Sequence, residues 1–145
     1  MLRGTPAWLS RLFICVLLLY CAASLLHFSH NAEYLADYPN MPQWLSRFQV
    51  YVAWLGVTAV GILGLLFIRF GYQRMGLMIV GLYAALGFDG LGHYALAPVS
   101  EHTIVMNATI WLEVAAGAVL LAVTVMLIAN QFRASPIFRR HDAKP

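Results

Sequence analysis

The stretch LFICVLLLYCAASLL, residues 12–26, carries no charged side chain and runs directly into the polar string HFSHNAEYLADYP, residues 27–39. Together with residues 8–11 it makes a segment of about the 20 residues that a helix needs to cross a hydrocarbon core. Three more apolar stretches follow, at residues 48–68, 75–96 and 103–130. Helix is the only open-chain structure available to them in lipid, because a lipid-facing strand would leave its backbone N–H and C=O groups unpaired. Gly71 marks a tight turn between the second and third stretches, and Pro98 breaks the chain before the last. The expectation is an all-α integral membrane protein, a bundle of four transmembrane helices at residues 8–38, 46–70, 72–96 and 103–131. They form one domain, 1–132, followed by a basic tail, 133–145, near anionic headgroups.

Composition agrees with that frame. Of the 145 residues, 61% are apolar and 10% charged. Soluble domains run at about a quarter charged, so this chain lacks the polar surface to stay in water. The mean hydropathy of +0.74 has the same origin. A net charge of +3 with no basic, aromatic-interleaved stripe argues against nucleic acid as a partner. The bilayer is the expected partner, with a homo-oligomer or a larger membrane complex also open.

The positive charges instead report topology. Arg3, Arg11, Arg69, Arg74, Arg133, Arg139, Arg140 and Lys144 fall on one side of the four segments, and only Arg47 on the other. Both termini are therefore expected in the cytoplasm, in a bacterial inner (plasma) membrane, with the two longer acidic loops outside. The start also has features of a signal peptide, with Arg3 and Arg11 before the apolar run and small residues at Ala22, Ala23 and Ser24. The bulky Tyr20 makes a poor cleavage context and a poor lipobox, so an uncleaved anchor is the favoured reading. Cys15 and Cys21 lie six residues apart on one helix and point away from each other, which excludes a disulfide between them.

The polar residues are distributed unevenly. The outer layer holds His27, His30, Glu33, Asp37, Asp89, His93, Glu101, His102 and Glu113, while the cytoplasmic halves carry little beyond flanking arginines. An ionisable group at membrane depth costs a few kcal/mol on insertion scales, so such groups usually persist because something uses them. If the first helix runs on to Pro39, then His27, His30, Asn31, Tyr34, Asp37 and Tyr38 form one stripe at i, i+3, i+4, i+7 spacing. The spacing of His27 and His30 can bring two imidazoles to one metal from successive turns. The bland alternative is a polar helix end at the interface.

On a continuous third helix, Asp89 and His93 are one turn apart, among Gly87, Gly90 and Gly92. The carboxylate could ligate beside the imidazole or fix its tautomer, or the pair could simply stitch helices together. Glu113 lies about ten residues into the fourth segment, roughly 15 Å along its axis and near mid-membrane. It has to be protonated, paired or wetted there, with His93 or His27 as the expected partner. Glu101 and His102 follow Pro98 and read as a solvated loop.

The leading expectation is a transition metal (zinc, iron, manganese or copper) bound by a cluster drawn from His27, His30, Asp89, His93 and Glu113. Such a site could serve a membrane enzyme with Glu113 or Asp89 as acid or base on a metal-bound water, although no HExxH or GxSxG motif is present. A b-type haem between a first-helix histidine and His93 is a second possibility, less at ease with Asp89 and Glu113. A proton relay, a small-ligand pocket or an assembly subunit without metal completes the set.

Overall fold

The structure is a computed structural model and describes residues 6–133. Those residues form no strand, and four of their helical segments are long and apolar enough to cross a membrane. The first is α1, Ala7–Glu33, and the second α2, Arg47–Arg69. The third is built from α3, Gln73–Leu86, a 3-10 turn at Asp89–Gly92 and the short α4, His93–Leu96. The fourth is α5, Ile104–Arg133. The basic tail expected at 133–145 lies outside the described residues except for the backbone of Arg133.

Each helix follows from its sequence. The buried positions of α1 (Leu9, Phe13, Val16, Leu17, Tyr20, Ala23, Ser24, His27, Asn31) recur every three or four residues, the spacing of one helical face. On α5 the same spacing links Met106, Ile110, Glu113, Leu120, Thr124 and Leu127. The α1 and α5 faces pack on each other and α5 also packs on α3, while α2 rests mainly on α3 and to a lesser extent on α1. Ser46 starts α2 with a capping box. The Gln49 N–H donates to Ser46 Oγ at 3.4 Å, and the Ser46 N–H donates to Gln49 Oε1 at 2.8 Å.

Close backbone contact sets the α2–α3 hairpin. A Cβ on Gly76 would lie 2.6 Å from the Gly64 carbonyl oxygen, so only two glycines allow the helices this approach. The turn between them places Gly71 at φ 95°, a conformation that side chains disfavour.

Two segments depart from the unbroken helices expected from sequence. α1 stops at Glu33 rather than continuing to Pro39. The Tyr34 N–H still bonds His30 O at 3.0 Å, but the Asp37 N–H then bonds Tyr34 O at 2.9 Å, which tightens the chain into a 3-10 turn at Leu35–Asp37. Pro39 holds Tyr38 extended, at φ −74° and ψ 126°. Asn40 then reverses the chain at φ 57° and donates from Nδ2 to Leu96 O at 2.9 Å, tying the loop after α1 to the end of the third segment. The polar stripe is consequently cut after Asn31.

The third segment breaks as well. Three glycines within residues 87–92 weaken the helix, and the chain passes through a 3-10 turn before His93. At Gly87 the missing side chain makes room for Tyr20, whose ring would lie 2.7 Å from a Cβ there. Tyr20 fills that notch, donating its hydroxyl to Tyr83 O at 3.0 Å and packing edge-on against the Tyr83 ring. Below it, towards residues 9 and 127, the core is apolar. Above it lie the polar groups.

Candidate functional site

α1 contributes Ser24, His27 and Asn31 from successive turns, all buried. α5 contributes Glu113, also buried. His27 Nε2 and Glu113 Oε2 stand 3.7 Å apart, too far for a hydrogen bond and close enough to attract if charged. The 3-10 turn covers the pair with backbone alone. A Cβ on Gly90 would lie 3.5 Å from Glu113 Oε2 and 3.7 Å from His27 Nε2.

His93 enters from the third segment. Its ring centre is 5.4 Å from that of His27, with the planes nearly perpendicular, and its Nε2 is 3.0 Å from Asn31 Nδ2. Two further rings continue outward. Tyr38 packs 4.8 Å from His93, and His102 lies 6.1 Å from His93 and 6.3 Å from Tyr38. Tyr38 belongs to the loop between α1 and α2, and burial pushes its phenol up to about 12. It is therefore a neutral hydroxyl, hydrogen-bonded with His30 Nδ1 at 3.0 Å.

Several buried polar atoms of this layer have no hydrogen-bond partner among the described residues: Ser24 Oγ, His27 Nδ1, Asn31 Oδ1, His102 Nε2 and both oxygens of Glu113. Buried polar groups are normally satisfied, because an orphan forfeits its hydration without return. Here the orphans are concentrated around one carboxylate and one imidazole. Among the described residues, no three His, Cys, Asp or Glu side chains already converge closely enough to hold a metal ion.

The chain matches no known protein family, no curated protein and no solved structure. Any reading of function therefore rests on this geometry.

The five residues singled out from sequence divide into two groups. In the interior His27 lies beside both Glu113 and His93. His30 turns to the rim, half-buried against Tyr34 and Tyr38. Asp89 is exposed and lines a pocket between the first three segments, because the 3-10 turn rotates it away from the face a continuous helix would give it. Glu33 is likewise outside the cluster, bonded by Arg47 at 2.6 Å and by the Tyr51 hydroxyl at 2.8 Å. Glu101 is exposed.

His102 reverses its expectation. It is buried rather than solvated, with Nδ1 3.1 Å from Pro98 O. The 3-10 turn Val99–Glu101 folds the loop inward, and the Asn107 amide holds it by donating to Val99 O at 3.1 Å and His102 O at 3.2 Å. Sequence reading gave no weight to Ser24 at this site, although its place one turn before His27 was a signal. Gly90 was grouped with Gly87 and Gly92 around Asp89 and His93, and the structure sets it against His27 and Glu113.

Proposed function

We propose that this chain spans the membrane four times with both termini in the cytoplasm, and holds one divalent transition metal between His27, His93 and Glu113 in its outer layer. The observation that carries the reading is the 3.7 Å gap between His27 Nε2 and Glu113 Oε2, sealed from solvent and bordered by unpartnered polar atoms. Two atoms this far apart, each about 2.1 Å from a shared metal, subtend an angle of roughly 120°. A water bonded to both at about 2.8 Å would be squeezed to roughly 80°. The separation thus suits a metal better than a bridging water. Two imidazoles on one tetrahedral metal have ring centres roughly 5 Å apart, close to the 5.4 Å between His27 and His93.

In this site His93 turns from Asn31 to the metal, and a fourth position remains open. The nitrogen and oxygen set suits zinc, iron, manganese or copper(II). Haem is disfavoured. Imidazoles across a haem iron have ring centres roughly 6 Å apart on opposite faces, whereas these two are edge-on with the Glu113 carboxylate beside them.

A second reading, proton transfer without metal, draws on the row of rings from His27 through His93 and Tyr38 to His102, whose Nε2 is unpartnered. Elemental analysis separates the two. The protein purified in mild detergent and reconstituted with each metal in turn should retain about one equivalent of one of them, with the content collapsing in His27→Ala, His93→Ala and Glu113→Gln. A wild type that retains none after reconstitution overturns the metal reading and leaves the relay.

A further inference from the structure

One buried hydroxyl of the bundle departs from the habit of the others. Of the three buried serine and threonine residues among the described ones, Thr109 donates to Met106 O at 3.0 Å and Thr124 to Leu120 O at 2.7 Å. Bonding back to a carbonyl of the preceding turn is how a helix ordinarily absorbs a hydroxyl. Ser24, at 0% exposure, makes no such bond, and its Oγ has no hydrogen-bond partner among the described residues. Its proton is available to a group outside its own helix.

The groups around it narrow the choice. Tyr20, one turn earlier on α1, has its hydroxyl proton committed to Tyr83 O at 3.0 Å. His27, one turn later, has Nε2 turned to Glu113 at 3.7 Å. From α5 comes Glu113 itself, a polar neighbour of Ser24, with neither oxygen hydrogen-bonded among the described residues. A carboxyl group offers several lone pairs, and a serine hydroxyl rotates its proton to suit. A buried donor and a buried acceptor each lack a partner, and each forfeits its hydration without return. One hydrogen bond between them removes both costs.

We infer that Ser24 is the positioning residue of Glu113: its hydroxyl donates to one carboxyl oxygen and leaves the other facing His27 Nε2. One face of α1 then supplies, from adjacent turns, both the imidazole and the donor that aims its acidic partner. The role holds whether the pair takes a metal or passes a proton, since either needs the carboxyl held toward His27. For a metal, the groups that hydrogen-bond a ligand fix its orientation and raise affinity.

The test reads the Glu113 carboxyl directly, by infrared difference spectroscopy on the metal-free full chain in lipid nanodiscs. Its band is the one lost in Glu113→Gln. That band should shift in Ser24→Ala, which removes the hydroxyl, and return to its wild-type position in Ser24→Thr, which restores it. Thermal unfolding checks that each variant is folded, and Ser24→Ala alone decides if the threonine methyl is not accommodated at this buried site. An unmoved band in Ser24→Ala overturns the assignment. The second arm rests on the metal proposed above. Titration should show Ser24→Ala binding it at least about tenfold more weakly than wild type, and equal affinity also overturns the positioning role. A wild type that retains no metal overturns that reading alone, because the metal-free band still decides Ser24.

Discussion

His27 Nε2 and Glu113 Oε2 face each other across 3.7 Å with side chains only 3% and 1% exposed. Neither Glu113 oxygen makes a hydrogen bond of ordinary geometry among the described residues, with the Ser24 hydroxyl as a polar neighbour. A buried acid and base held just beyond hydrogen-bond range are the ground for the metal proposed above.

The first prediction concerns that metal. Glu113→Gln preserves shape while removing the carboxylate that would ligate a metal, so the metal-free variant should melt close to the metal-free wild type. Adding the preferred metal at a hundredfold its dissociation constant should stabilise the wild type by about 2.7 kcal/mol and leave the variant unmoved. A wild type whose thermal midpoint ignores every metal tried would count against a metal ligand role for Glu113.

Two glycines of the third segment should respond in opposite ways to the same methyl group. At Gly90 a Cβ meets Glu113 and His27 at 3.5 and 3.7 Å, ordinary contact distances. Gly90→Ala should therefore fold normally but weaken metal binding, about tenfold or more, because the methyl crowds the space beside the pair. At Gly87 a Cβ would meet the buried Tyr20 ring at 2.7 Å, so Gly87→Ala should cost about 1–3 kcal/mol. Thermal unfolding and metal titration of both variants check the contrast, and a Gly90→Ala with undiminished affinity would remove the site from beneath the turn.

Tyr38 gives a pH dependence with a defined sign. Its phenol is raised from the ordinary 10 to about 12 by burial. The stability this represents is fully present below pH 10 and is lost as pH rises through 12. Chemical unfolding followed across that interval should show a smaller loss in Tyr38→Phe than in wild type, and identical slopes would show that Tyr38 is not buried when folded.

Ser46 tests the start of α2. Ser46→Ala breaks the capping box with Gln49 and should cost about 1 kcal/mol. Hydrogen exchange should quicken in the first turn of α2, with no change in α5. Protection unchanged at residues 47–50 would show that the cap contributes nothing.

Topology has its own readout. A reporter phosphatase that folds only outside the cytoplasm should be active when inserted in the loop at residues 38–46 and inactive when fused after residue 145. The reverse pattern would invert the orientation inferred from the cations.

What could be read from the chain alone was the class of structure and the layer of interest. Four apolar segments must be helical wherever lipid surrounds them, because a backbone without water has to bond to itself. Ionisable residues at membrane depth stand out for the cost of putting them there. The choice among those residues was not readable, because it hangs on where two helices stop. α1 yields at Tyr34, which cuts the stripe and leaves His30 to Tyr38. The third helix yields at Gly87, and a 3-10 turn sends Asp89 to the surface pocket while bringing Gly90 and His93 to His27. His102, placed in a solvated loop by its position after Pro98, is folded inward by the Asn107 amide. Periodicity assigns a residue to a helical face only while the helix continues, so the placing of Glu113 and of His93 beside His27 was decided by packing between segments far apart in the chain.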